Sequence, residues 1–307
     1  MTLLKLLEHL RSPIFNTLNM VFTVMGEGLF FLIILCLIFW CIDKKLAYRI
    51  CFIYILAGLA VQTLKITLRI DRPFIKNPSL NPVEAAKKTA TGYSFPSGHT
   101  QNVTSMFLTF AHISSSVAAK ILCVIPIILV MFSRMYLGVH TPYDVFGSFI
   151  ISAIITIITN YFFDNYSLHA SHRKWVLVIF TFITGIVVAY AVYLNMIVAD
   201  ITAENMEDIF KACGAAFGFL IGWYIETRKI KFNEKAATLP FQIMKFIMGI
   251  DILVGIKTMA SYLLPMTGLS IFSSKFIEYA LLTFFISAVY PIIINKMFTD
   301  EEQAYRH

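Results

Sequence analysis

Three short polar blocks interrupt an otherwise apolar chain: Lys65 followed by Arg72-Pro73, then Pro96-Ser97-Gly98-His99, then Ser133-Arg134 followed by His140 and Asp144. Together they hold three cations, two imidazoles and one carboxylate. That inventory suits hydrolysis at a tetrahedral phosphoryl group, with one imidazole to attack phosphorus, the other to protonate the leaving oxygen, and cations to hold the remaining oxygens. The chain shows no carboxylate cluster of the kind that cages a metal ion. His140 and Asp144 are four residues apart, a spacing that brings imidazole and carboxylate together on a helix. So bonded, Asp144 would fix the tautomer and leave the other ring nitrogen free as a nucleophile. Arg134 offers a planar fork to phosphate oxygens. Ser97 can cap a helix whose first-turn amides form an anion site, and Gly98 lets a ligand approach the backbone. Pro73 holds Arg72 extended, so a helix carrying Lys65 ends before it and both cations can turn toward one anion. Each block alone also has an ordinary reading, as a snorkelling lysine, a loop charge, a capped helix start or a set of interfacial anchors.

The elements that must position these groups are membrane spans. The chain has 307 residues, of which 58% are hydrophobic and only 14% charged, and its mean hydropathy is +0.74. That composition excludes an ordinary soluble domain. A formal charge of +7 does not indicate nucleic acid, because Lys and Arg lie in short clusters between apolar runs, as topology determinants do. Apolar stretches predict about nine spans. They run over residues 21–42, 47–68, 99–117, 121–138, 143–163, 175–198, 210–225, 241–264 and 276–298. The first twenty residues are expected to form an interfacial helix. Cys36, Cys41, Cys51, Cys123 and Cys213 fall in or beside spans without ligand spacing and read as packed thiols.

If the spans alternate, the joints holding Lys44, Lys45, Arg49, Lys120, Arg173, Lys174, Arg228, Lys229, Lys231 and Lys235 share one side, cytoplasmic by the positive-inside rule. The joint with Asp200, Glu204, Glu207 and Asp208 falls opposite. The N-terminus is then expected outside, the C-terminus inside, and all three polar blocks on the extracytoplasmic face. Between the second and third spans, residues 69–98 hold four prolines and no helical apolar period, which predicts a loop over the site.

Taken together the blocks resemble the signature of the type 2 phosphatidic acid phosphatase superfamily, KxxxxxxRP, PSGH and SRxxxxxHxxxD, matched in order and without substitution. The resemblance implies that Lys65, Arg72 and Arg134 bind phosphate, that Ser97 and Gly98 contact its oxygens, that His99 is the general acid, and that His140, oriented by Asp144, is the nucleophile. It implies no metal and no cofactor. The fold expected is an all-α polytopic membrane bundle of about nine helices containing a core of about six. Its parts would be the interfacial helix 1–20, a phosphatase core 21–198, additional helices 199–298 and a cytoplasmic tail 299–307. The substrate expected is a lipid phosphate monoester or diphosphate: phosphatidic acid, phosphatidylglycerol phosphate, polyprenyl diphosphate or a sphingoid phosphate. The alternatives are a lipid phosphotransferase using the same site and a non-catalytic lipid or anion transporter. The partners expected are that lipid and the bilayer, not nucleic acid, and the setting a bacterial plasma membrane.

Overall fold

The computed structural model describes residues 2–166, 172–198, 201–235 and 238–304, and among them every regular element is helical. Asp200 of the acidic joint and residues 305–307 of the expected tail lie outside the described residues. The helices are α1 (Thr2–His9), α2 (Pro13–Val24), α3 (Gly28–Leu37), α4 (Lys44–Leu68), the short α5 (Pro73–Lys76) and α6 (Glu84–Lys87), α7 (Gly98–Ile113), α8 (Val117–Tyr136) and α9 (Pro142–Asn165). They continue as α10 (Arg173–Ile197), α11 (Ala203–Ile225), α12 (Leu239–Met266), α13 (Ile271–Phe284) and α14 (Tyr290–Ala304). Single π turns extend α3 over Ile38–Ile42 and α11 over Glu226–Ile230, and a third, Phe285–Val289, joins α13 to α14.

Among the described residues seven helical segments are long and apolar enough to cross a membrane, or eight if α2 and α3 with its π turn, bent by 48°, make one broken span. The expected span over 21–42 is this bent pair, begun by Ser12, whose Oγ accepts from the Phe15 amide, and Pro13 in the first turn. The expected span at 99–117 is α7, with only 16 residues and a largely polar buried face. The nine-span layout is therefore not reproduced. The loop over 69–98 contains two four-residue helices, α5 and α6.

The chain divides into two compact units. The first comprises Met1–Leu32, Ile50–Asn165 and Asp200–Asp208. Here α7 lies along α8 and α9, with Val103, Ile127, Val130, Met131 and Val145 forming an apolar cluster between them. Outward faces stay apolar, with Ile121, Leu122, Ile128 and Phe132 exposed on α8 and Ile150, Ile154 and Ile157 on α9, as lipid contact requires. The α1 helix is tied down: Leu7 packs with Ala86, Tyr136, Leu137 and Val139. Arg11 Nε donates to the Tyr136 carbonyl at 3.0 Å, and Glu8 accepts from the backbone and side-chain nitrogens of Asn81, each at 3.1 Å. The Val83 amide donates to the Leu137 carbonyl at 3.0 Å. The N-terminal helix and the 69–98 connection are thus both fastened to the turn joining α8 to α9.

The second unit comprises Ile33–Arg49, Tyr166–Ala199 and Ile209–His307. Along α11, Gly214, Gly218 and Gly222 face Phe276, Ala280 and Ser287, where a Cβ would lie within 1.9–2.1 Å of those residues. At Gly214 and Gly218 the facing atoms are backbone carbonyls, and only glycine lets these backbones approach so closely. The buried Glu226 accepts from Lys44 Nζ at 2.9 Å and from the Tyr48 hydroxyl. Trp40 Nε1 donates at 3.1 Å to the Ile286 carbonyl, inside the Phe285–Val289 π turn.

Candidate active site

Every residue of the three polar blocks belongs to the first unit, and the helices bring the blocks to one end of it. Lys65 occupies the last turn of α4, Ser97 caps the start of α7, Arg134 lies in the last turn of α8 and Asp144 in the first turn of α9. Two of these helices end where the other two begin, so polar termini gather without any charge crossing the apolar middle. Pro73 sets Arg72 at φ −62° and ψ 148°, extended as its position before proline requires. The guanidinium is then locked: Nε donates to the Gly92 carbonyl at 3.1 Å, Nη2 to that of Thr91 at 2.6 Å, and Nη1 to that of Val139 at 3.1 Å.

Arg72 Nη1 also lies 2.8 Å from His140 Nε2. A guanidinium has no lone pair to offer, so His140 Nε2 must be the acceptor and the ring proton must sit on Nδ1. That nitrogen faces Asp144 Oδ2 at 3.7 Å, within ion-pair reach and longer than a hydrogen bond. Asp144 Oδ2 is itself held by the Ser94 hydroxyl at 2.7 Å and the Thr141 amide at 2.6 Å. Burial, and after it the charge of Arg72, hold the His140 imidazole well below the usual histidine value, against the opposing pull of Asp144.

Ser97 accepts from the Thr100 amide at 3.4 Å, its own amide donates to the Asp144 carbonyl at 3.1 Å, and its carbonyl accepts from Ser148 Oγ at 2.6 Å. The start of α7 is thereby fixed to that of α9. Among the described residues no atom outside its own turn lies within 4 Å of where a Cβ on Gly98 would stand, so the first turn is open to an approaching group. His99 is in electrostatic range of Arg134, His140, Arg72 and Lys65. The buried Lys65 is similarly coupled to Arg72, Asp208, Arg134 and Asp144.

Arg134 spends only one nitrogen on the protein: Nη1 donates to Thr23 Oγ1 at 2.9 Å and to Thr89 Oγ1 at 3.5 Å. Its Nε and Nη2, which form the side-on fork, are buried with no protein partner among the described residues, and so is His99 Nε2. Buried donors of this strength are rarely left alone. Both residues are in electrostatic range of the His140 ring, and donors grouped in this way can take an anion with several oxygens.

Sequence spacing missed the scaffold around these eight residues. Thr23, Thr89, Thr91 and Ser94 hold the charged groups, but single hydroxyl residues carry no spacing signal. Asp208, assigned to a topological joint, accepts from Thr91 Oγ1 at 2.8 Å while Arg72 holds the same residue's carbonyl. Gly26 lies so near His99 that a Cβ there would come within 2.9 Å of the His99 Cβ and carbonyl.

Sphingosine-1-phosphate phosphatase 2 of Homo sapiens is 26% identical to this chain over 70% of it and 53% of its own length. An undecaprenyl-diphosphatase of Sulfolobus acidocaldarius is 28% identical over 38% of this chain and 54% of its own. The chain thus spans about half the length of these curated relatives. The crystal structure of a transmembrane PAP2-type phosphatidylglycerolphosphate phosphatase from Bacillus subtilis aligns with a TM-score of 0.45 at 22% identity, over 55% of this chain and 86% of that one. Residues 46–168, which hold all three polar blocks, match the PAP2 superfamily, and residues 210–302 match the PAP2 superfamily phosphatase transmembrane extension. Through those two stretches and the unbroken signature between Lys65 and Asp144, the chain belongs to the type 2 phosphatidic acid phosphatase (PAP2) superfamily.

Proposed function

We propose that the protein is a metal-independent phosphatase of lipid phosphate monoesters or diphosphates, working through a phosphohistidine on His140. The observation that carries this reading is the environment of His140, whose Nε2 bears a lone pair beside Arg72 while Asp144 stands behind the other nitrogen. An entering phosphate takes over Arg72 Nη1 and the unpaired Nε and Nη2 of Arg134, with Lys65 and the first-turn amides around Ser97 and Gly98 as further donors. His140 Nε2 then attacks phosphorus, forming the N–P bond as the bond to the leaving oxygen breaks, and His99 supplies the proton that oxygen takes up. Water attacks the phosphohistidine, gives its proton to His99, and releases phosphate and the free His140 ring. The cations do most of their work as charge accumulates on the equatorial oxygens.

The lipid class is argued from location and relatives. The site sits where apolar helices end, so a headgroup can enter while its tails stay in the bilayer. The named relatives act on a sphingoid phosphate and a polyprenyl diphosphate. The clusters of Lys and Arg at the joints support an extracytoplasmic site, with the N-terminus outside and the C-terminus inside. Purified protein should release phosphate from at least one of these lipids with a chelator present. His140→Asn should lower that rate by at least about a thousandfold while leaving a monodisperse protein. A phosphatase that keeps its rate after this substitution does not use His140 as nucleophile.

A further inference from the structure

The two helices that start together at the site also meet at their far ends, where His112 Nε2 of α7 lies 2.6 Å from Asp164 Oδ2 of α9. Between those points most of their buried residues are polar, with Val103, Met106 and Val145 as the apolar exceptions. On α9 the buried residues after Val145 are Ser148, Ser152, Thr156, Thr159 and Asn160, and on α7 they include Thr100, Gln101, Thr104, Ser105 and Thr109. From Asp144 to Asp164 every fourth residue of α9 is polar: Ser148, Ser152, Thr156 and Asn160 fill the interval. The outward side of the same helix carries isoleucines and aromatic residues.

Hydrogen bonding between and within helices accounts for part of this seam. Thr109 donates to the Ser105 carbonyl at 2.7 Å, and Gln101 Nε2 to Ser105 Oγ at 3.4 Å. It does not account for Thr104 Oγ1, Ser152 Oγ, Thr156 Oγ1 and Asn160 Oδ1, which have no protein partner among the described residues although those residues are 0–1% exposed. Buried hydroxyls and amides in native proteins are satisfied by protein or by internal water. The spacing fits water: four residues of helix advance about 6 Å, and a water accepting from one group and donating to the next spans two bonds of about 2.8 Å.

We infer that the α7–α9 seam binds a file of internal waters running from the Asp144 end of the site to the His112–Asp164 pair. The buried residues of α7 and α9 named in this interval are all neutral, so the file is a route for water and protons and not for phosphate. It places the hydrolytic centre in hydrogen-bonded contact with the opposite end of its own helices.

The test is a structure of the protein in nanodiscs at about 2 Å or better, where waters of this kind are resolved, together with thermal unfolding of Thr104→Val and Thr156→Val. Both substitutions keep side-chain shape and remove one polar atom. Water density bridging Thr104, Ser152, Thr156 and Asn160, with each valine lowering Tm by about 3 °C, is the expected result, because the valine strips the file of a partner. A dry seam with the hydroxyls turned onto the carbonyls four residues back, and valine variants as stable as the parent or more so, overturns the inference. Neither measurement reads phosphate release, so failure of the catalytic assignment and failure of the water file are told apart.

Discussion

At the scale of the residue, His140 is shaped by two effects of the same sign. Burial removes the solvent that would stabilise an imidazolium, and Arg72 adds a positive charge beside the ring, so the neutral form persists to lower pH than for an ordinary histidine. Protonation of His140 in the free enzyme should therefore place the acid limb of kcat/KM below about 6.5, the ordinary imidazole value. Arg72→Gln removes the second of the two effects, so that limb should move to higher pH as the overall rate falls. A limb that stays in place would show that Arg72 serves the phosphate alone. The charged residues of the candidate site were legible in the sequence because each is a rare polar type in a greasy chain. Thr23, Thr89, Thr91 and Ser94 were not legible, because a hydroxyl holding a guanidinium looks in sequence like any other loop or helix hydroxyl. The separation of Thr23 from Arg134 by most of the first unit hides the contact further.

At the scale of the element, the break between α2 and α3 does more than bend a span. Its Gly26 carbonyl accepts from Asn102 Nδ2 at 2.8 Å, and its Cα rests where a Cβ would be 2.9 Å from both the His99 carbonyl and Val130 Cγ1. Backbone cannot yield as a long side chain can. Gly26→Ala should push the first turn of α7 away and displace His99, with a stability loss of about 1–3 kcal/mol and a fall in kcat of about a hundredfold for a shift near 1 Å. Phosphate-release kinetics beside a melting curve would check it, and an unchanged kcat would show that the α7 turn is free to adjust. Apolar runs located most spans to within a few residues, since lipid exposure demands a continuous greasy face. The bend was invisible to hydropathy, which averages Gly26 and Glu27 into one span-length window with the apolar residues on either side. The short α7 was over-read for the opposite reason: its apolar outer face fills a span-length window while its inner face is polar.

At the scale of the whole molecule, sequence order and spatial grouping part company. Residues 33–49 belong with 209–307, an association that no local pattern announces. Its polar anchor is Glu226, buried where α11 passes into its π turn and held by Lys44 at 2.9 Å and by Tyr48. The sequence places Lys44 among the cytoplasmic topology charges, and its pairing with an acid so far along the chain could not be read from spacing. Removing one partner of an ion pair costs most when the charge left behind is buried, so Lys44→Met, which strands Glu226, should destabilise the second unit by about 3 kcal/mol. Glu226→Ala should cost less, because the Lys44 ammonium it leaves is partly solvated and keeps the Phe232 carbonyl. All eight residues of the proposed active site lie in the first unit, so phosphate release per folded molecule should be unchanged in both variants. Thermal unfolding and turnover measured on the same preparation test the two halves of this expectation together. A lowered melting point with unaltered kcat would identify the Glu226 network as a support for the second unit's own packing. A matching fall in kcat at temperatures where the protein is folded would instead make that network part of what sets the catalytic geometry.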